Sequence, residues 1–534
     1  MPETKSHAAA AQKPAGGTSW LADGRALVLL LAVLNVVFHI LISGRYGAIP
    51  DELYYPDAGR HLAWGYVDFP PLIAFLGWLL EHSIGVSLYA LRLLPAIASG
   101  VLVWVTGCLA HELGGRRFAQ ALAALAVMAA PVYMLVHHWF TMNAFEPILW
   151  MGCAWCVVRA INRDDPHYWV WFGLLAGIGL ENKYSVLFFV LGILVGLIAT
   201  KQRKFFRSPW FWLGVAVALL VFLPNFLWEA QRHFPFLENE REVRLSWGPS
   251  KHGYLGFMIV QVLITNPVVA LLWMSGLVWL FVAKQGRYRT LGWTMVVVIA
   301  VLMAMHGKDY YVTPVYPMAI AAGAVGLEGW TQSRRRWLRP LYAVVILLTG
   351  MLLAPVVVPV LSRQAYPEYA QALGHLLPKR MWQRPNKNAI PGYLAEEVGW
   401  DQLARQVAEV YNALPPEQRK VTAIYATYYR EAVAIDYYGA QYELPKAISG
   451  HESFWDWGPG GYDGKSMIIV GSDLATEQPN FASVKQVGRV DLPSPLEHYQ
   501  ILLCEGGKVD LQQRWPGLRN WFQGKPLQPQ QKLQ

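Results

Sequence analysis

The chain has 534 residues, 54% of them hydrophobic and only 15% charged, with 24 Trp and 26 Tyr. So few charges cannot cover a soluble protein of this size, and the Trp and Tyr content is that of a polytopic membrane protein with aromatic belts at its interfaces. The formal charge of +9 is accounted for by basic loops on one side of a membrane, which removes nucleic acid as an implied partner.

In chain order, residues 1–25 read as a cytoplasmic tail and 26–361 as a transmembrane domain, opening on an uncleaved signal anchor at 26–43. Apolar runs recur at 88–110, 118–136, 144–161, 168–180, 186–200, 210–228, 254–283, 291–305, 312–327 and 338–361. With the anchor they predict about eleven passes. The basic connections at 114–117, 201–207, 284–289 and 334–339 fall on one side, the cytoplasm, if the passes alternate. Between the first two runs lies an outer segment, 51–82, too polar for a span, which predicts two interfacial helices at 52–62 and 71–80.

After residue 361 the charge and Gln content rises, and 362–523 predicts a separate soluble α/β domain on the outer side. Its expected elements are helices at 400–414 and 430–438 and strands at 420–425, 466–470 and 499–504. The end, 524–534, is rich in Gln, Lys and Pro and reads as disordered. Cys108, Cys153 and Cys156 sit in apolar runs and Cys504 in the outer domain, so no disulfide framework is expected.

Asp51, Glu52 and Asp68 fall on that outer segment. Carboxylates held at the outer mouth of a membrane bundle suit a substrate that is part lipid and part polar, such as a lipid-linked sugar. Taken alone, Asp51 is also an ordinary helix cap behind Pro50, and Lys183 and Lys308 are also ordinary snorkelling lysines.

The order Asp51-Glu52, Tyr54-Tyr55, His61 and Asp68-Phe69-Pro70-Pro71-Leu72 resembles the bacterial branch of the protein O-mannosyltransferase and aminoarabinose transferase superfamily. The resemblance continues in Phe140-Thr141-Met142-Asn143-Ala144-Phe145-Glu146-Pro147, Glu181-Asn182-Lys183-Tyr184-Ser185, Pro224-Asn225-Phe226-Leu227-Trp228 and His306-Gly307-Lys308-Asp309-Tyr310-Tyr311. It implies a C-type membrane glycosyltransferase fold and inverting transfer of a hexose or pentose. The donor would be a polyprenyl-phosphate sugar and the acceptor a lipid, glycan or protein outside the bacterial cytoplasmic membrane. Asp51 matches the family's essential acid, the base for the acceptor hydroxyl, with Glu52 orienting acceptor or base and Tyr55 lining the site. Lys183 and Lys308 would meet the leaving phosphate, with His306, Tyr310 and Tyr311 as donors beside them; Glu181 is a candidate partner for Lys183.

Asp68 and Glu146 match acidic metal or substrate ligands of aminoarabinose-transferase relatives, with His137 and His138 nearby, so a divalent metal ion is a possible cofactor; capping of helix ends explains each acid singly. The chain departs from that subfamily in carrying Phe69 where a lysine follows the acid, which takes away one phosphate contact. The loop 229–252 reads as a lid or a solvated charged loop, and the aromatic turn 450–461 as a glycan-stacking loop or packing surface. A transporter or flippase of lipid-linked intermediates is the rival reading, disfavoured by the lack of a repeat.

Overall fold

The structure, a computed structural model, describes residues 24–247, 253–373, 390–493 and 498–520. The expectations for the cytoplasmic tail and for the disordered end at 524–534 lie outside the described residues.

The chain is a multi-pass, mainly helical membrane protein with a small C-terminal sheet. Among the described residues six helices are long and apolar enough to span, namely Arg25–Ile42, Leu88–Glu112, Met142–Arg163, Pro209–Gln231, Pro267–Gly286 and Leu338–Val357. A seventh span is formed if Val186–Ile198 and Lys201–Arg207, bent by 107°, count as one. Other apolar runs make shorter helices, so about eleven full passes is not what length and composition support. Local chemistry explains two of the shortfalls. The run 118–136 divides into Arg117–Met128 and Pro131–Val136, and the run 254–283 into Tyr254–Ile264 and a helix opening at Pro267. In each case a proline starts the second helix, where its missing N–H costs nothing. Asn266, at φ 72°, turns the chain there and caps Val268 N–H with its side chain.

Two short helices, Pro50–Arg60 and Leu72–Ser83, form the outer hairpin. They cross at Gly59 and Gly77, where a β-carbon would come within 2.7 Å of Trp78 N and 2.9 Å of Tyr55 O. Only glycine allows that approach. The first of these helices does not lie on the membrane as an amphipathic element. Residues from Glu52 to Gly59 are buried, because the C-terminal domain covers the face that bilayer and water would share.

That domain carries a four-stranded sheet of β1 (Thr422–Ala426), β2 (Ser466–Val470), β3 (Phe481–Asp491) and β4 (His498–Gly507) in the order β1-β2-β4-β3. β1 and β2 are parallel, joined through helix Tyr429–Tyr438, and the other pairings are antiparallel. β3 escapes the sequence pattern because it is a partly solvated edge strand, with a register shift between Gln486 and Gly488. The segment expected as a charged loop is largely helix Pro235–Trp247. Pro235 opens it, and Glu240 and Arg244 stand one turn apart in the order that favours a helix. All four cysteines are free.

The domain is not separated from the bundle by a polar gap. One continuous apolar core joins Leu53, Tyr54, Tyr55, Phe69 and Phe140 of the membrane part to Trp400, Tyr429, Val433, Phe454 and Ile468 of the domain. Burial of this kind, at about 25 cal/mol per Å² of apolar surface, fixes the domain over the hairpin.

Candidate active site

Asp51 and Glu52 sit in the first turn of helix Pro50–Arg60, where carboxylates are favoured by the helix dipole. Their side chains have opposite fates. Glu52 is fully buried; its Oε2 accepts from Ile49 N–H at 3.2 Å and from Arg92 Nη2 at 2.8 Å. Its Oε1 accepts from Arg92 Nε at 2.9 Å and from Phe140 N–H at 3.0 Å. Both oxygens are therefore engaged in tying the hairpin to helix Leu88–Glu112 and to the 137–141 loop. Asp51 instead accepts at Oδ1 from the Tyr429 hydroxyl of the C-terminal domain at 2.6 Å.

Asp68 accepts from the Tyr54 hydroxyl at 3.2 Å, and that hydroxyl in turn accepts from Ser453 N–H at 3.2 Å. Ser453 Oγ accepts from Val67 N–H at 3.2 Å, so a domain loop clamps the Asp68 loop. Burial, reinforced by the charge of Asp51, pushes the Asp68 carboxyl up to about 7. The next residue of the clamp, Glu452, lies at φ 48° and ψ −137°, a conformation that strains any residue with a side chain. Burial and then the charges of Asp68 and Asp51 hold its carboxyl well above the usual range. Next to it His451 is fully buried, and burial takes its imidazole down to about 3, so the ring is neutral.

Tyr55 is buried among Tyr54, Phe69 and Phe140, and burial, then the charges of Asp51 and Asp68, raises its phenol. Phe69 packs in the same aromatic group, stacked on Tyr66 at 4.7 Å. Lys183 ends helix Tyr168–Asn182; its Nζ donates to Asn143 Oδ1 at 2.7 Å and lies 3.4 Å from Glu146 Oε2 and 4.1 Å above the Tyr311 ring. Its acidic partner is thus Glu146, not Glu181. Lys308 Nζ is 6.0 Å from the same Tyr311 ring, and Tyr310 packs edge-on against Tyr311 at 4.9 Å. Asp51 is among the charges that raise the Tyr310 phenol, after burial and Tyr311, so the carboxylate lies within electrostatic reach of Tyr310. His306 stands apart, exposed and tilted against Tyr254 at 6.3 Å.

The two acids considered as metal ligands have different partners. Asp68 is bonded to Tyr54, while Glu146 is bonded to Lys183 and Ser185. Among the described residues no group of three or more His, Cys, Asp or Glu side chains is arranged to hold a metal ion. His137 Nδ1 is engaged with Tyr133 O at 2.8 Å and His138 Nε2 lies 3.4 Å from Glu397. Asp68 and Glu146, each engaged by other partners, do not come together with His137 and His138 as a metal centre among the described residues.

Tyr429, His451, Glu452 and Ser453 were not legible as site residues, because their approach depends on how a distant domain docks. The nearest signal was the aromatic turn at 450–461. Its rings pack in the seam, Trp457 stacking on His61 at 4.5 Å and Phe454 on Tyr54 at 6.0 Å.

The helical bundle, with its outer hairpin and a small sheet domain docked over it, shares its fold with a solved membrane protein, ArnT. A family model described as dolichyl-phosphate-mannose-protein mannosyltransferase matches residues 68–228. ArnT from Cupriavidus metallidurans, solved bound to undecaprenyl phosphate, aligns with a TM-score of 0.59 over 89% of this chain and 98% of that one, at 15% identity. Its apo form aligns with the same TM-score and coverage at 18% identity. The lipopolysaccharide core galacturonosyltransferase RgtA from Rhizobium johnstonii is 24% identical over 235 residues, 42% of this chain and 46% of that protein. The match thus spans less than half the length of this curated relative.

Proposed function

We propose that this protein is an integral membrane glycosyltransferase of the bacterial cytoplasmic membrane. It moves a sugar from a polyprenyl-phosphate donor to a lipid, glycan or protein acceptor on the outer side, with the N-terminus cytoplasmic and the C-terminal domain outside. The observation that carries this reading is Asp51 at the start of the outer hairpin, within electrostatic reach of Tyr310, which packs edge-on against the Tyr311 ring that Lys183 covers.

Asp51 acts as general base. It takes the proton of the acceptor hydroxyl as that oxygen attacks the anomeric carbon from the face opposite the phosphate, and the bond from that carbon to the phosphate oxygen breaks. The electron pair leaves on the polyprenyl phosphate, whose added negative charge is met by Lys183 and Lys308. Phe69 is buried in an aromatic group and offers the phosphate no charge. Glu52, with both oxygens engaged, acts by holding the helix that carries Asp51.

The test is transfer of radiolabelled sugar by purified protein in detergent, over a panel of polyprenyl-phosphate sugars. Wild type is expected to transfer or hydrolyse a donor and Asp51→Asn to lose this by about a hundredfold or more. Saturable lipid binding with no turnover, unchanged in Asp51→Asn, would replace the reading with a flippase of lipid-linked intermediates.

A further inference from the structure

A general base works best when a third group fixes its orientation. Among the described residues, the hydrogen bond to the Asp51 side chain comes from the C-terminal domain, a short one from Tyr429 to Oδ1, 2.6 Å long. We infer that the C-terminal domain completes the reaction centre, with Tyr429 as the positioning residue for Asp51.

The tyrosine is itself held firmly. It is the first residue of helix Tyr429–Tyr438, which is closed by a capping box from Glu431 to Tyr428 N–H. Its ring is sandwiched between Tyr54, at 4.8 Å, and His451, at 5.5 Å and 21° from parallel. His451 is neutral and fully buried, and among the described residues neither ring nitrogen has a hydrogen-bond partner, so it serves here as a flat packing surface. The phenol can therefore swing little, and its proton has one charged acceptor. Held at Oδ1, the carboxylate keeps Oδ2 for the acceptor hydroxyl. The same docking brings Ser453 onto Val67 and Tyr54, so the domain that supplies Tyr429 also sets the Asp68 loop. A domain that only anchored or solubilised the chain would need none of these contacts.

This assignment rests on the transferase reading with Asp51 as base. The experiment compares full-length wild type, Tyr429→Phe and Tyr438→Phe with the polyprenyl-phosphate sugar that wild type accepts. Tyr429→Phe keeps the ring and both stacking contacts and removes the hydroxyl alone. Tyr438→Phe is the control for docking, since the Tyr438 hydroxyl accepts from Ala48 N–H across the same seam. The expected result is a fall in kcat of about ten- to a hundredfold for Tyr429→Phe, with donor KM and thermal midpoint unchanged and Tyr438→Phe close to wild type. A kcat for Tyr429→Phe within about twofold of wild type, or a loss matched by Tyr438→Phe, overturns the assignment and leaves the transferase reading standing. Wild type that turns over no donor overturns both.

Discussion

At the scale of single residues, neighbouring carboxylates divide the labour. Asp51 reaches Tyr429, and Glu52 is sealed in with Arg92, at 0% and 1% exposed. A buried pair of this sort is worth little against an apolar pair, but removing one member strands the other, at a cost of about 3–5 kcal/mol. Glu52→Ala is expected to lower the thermal midpoint in detergent sharply, whereas Asp51→Asn leaves it near wild type. The two differ by one position, so equal midpoints would remove Glu52 from its structural role. Lys308 gives a second test at this scale. It is exposed and lies 6.0 Å from the Tyr311 ring, so Lys308→Met should leave stability intact. Donor KM should rise roughly tenfold, about 1.4 kcal/mol, with kcat less affected. An unchanged KM would assign the phosphate to Lys183 alone.

At the scale of elements, the outer hairpin depends on two glycines. Gly77→Val would drive side-chain atoms into the Tyr55 carbonyl and Pro56, forcing apart the two hairpin helices and displacing Asp51, on the first, and Asp68, on the loop that joins them. Transfer activity should fall below a tenth of wild type, as a roughly 1 Å displacement of a catalytic group suffices for such losses. Gly392→Ala, at a glycine with open space around it, is the matched control. Much at this scale was legible in sequence. Ser466–Val470 is apolar after its first residue and is a fully buried strand, and Trp400–Ala413 shows its helical period plainly. The misses have physical reasons. The edge strand Phe481–Asp491 mixes polar and apolar residues because water covers part of it, and hydropathy cannot show that Pro131 and Pro267 start new helices rather than kink long ones. Asp51, Lys183 and Tyr311 were candidates from sequence because loop motifs carry them locally. Tyr429 and Glu452 were not, since local sequence says nothing about an approach across 378 positions of chain between Tyr429 and Asp51.

At the scale of the whole molecule, the seam between bundle and domain is where function and stability meet, and it is built on acids held out of water. Glu397 enters the bundle to accept from Trp139 Nε1 at 2.8 Å and lies 3.7 Å from Arg92. Burial outweighs the guanidinium and pushes its carboxyl up to about 7, from 4.5. On the far side Lys446 bridges Asp57 at 3.6 Å and Asp436 at 3.4 Å, and burial, then the charge of Asp57, pushes Asp436 up to about 7, from 3.8. An acid whose folded value is raised binds a proton in the docked state that it releases when exposed. Its contribution is therefore fully present below its exposed value and is lost as pH rises through its folded value. The thermal midpoint should accordingly fall between about pH 4 and pH 7, and Glu397→Gln, which keeps an acceptor for Trp139 but has no proton to lose, should flatten that fall. Because Tyr429 reaches Asp51 only when the seam is closed, limited proteolysis of the domain should quicken over the same range in wild type and less so in the variant. A variant whose midpoint falls as steeply as wild type would show that Glu397 keeps its charge in the docked state, and that Arg92 holds the domain through an ion pair with it.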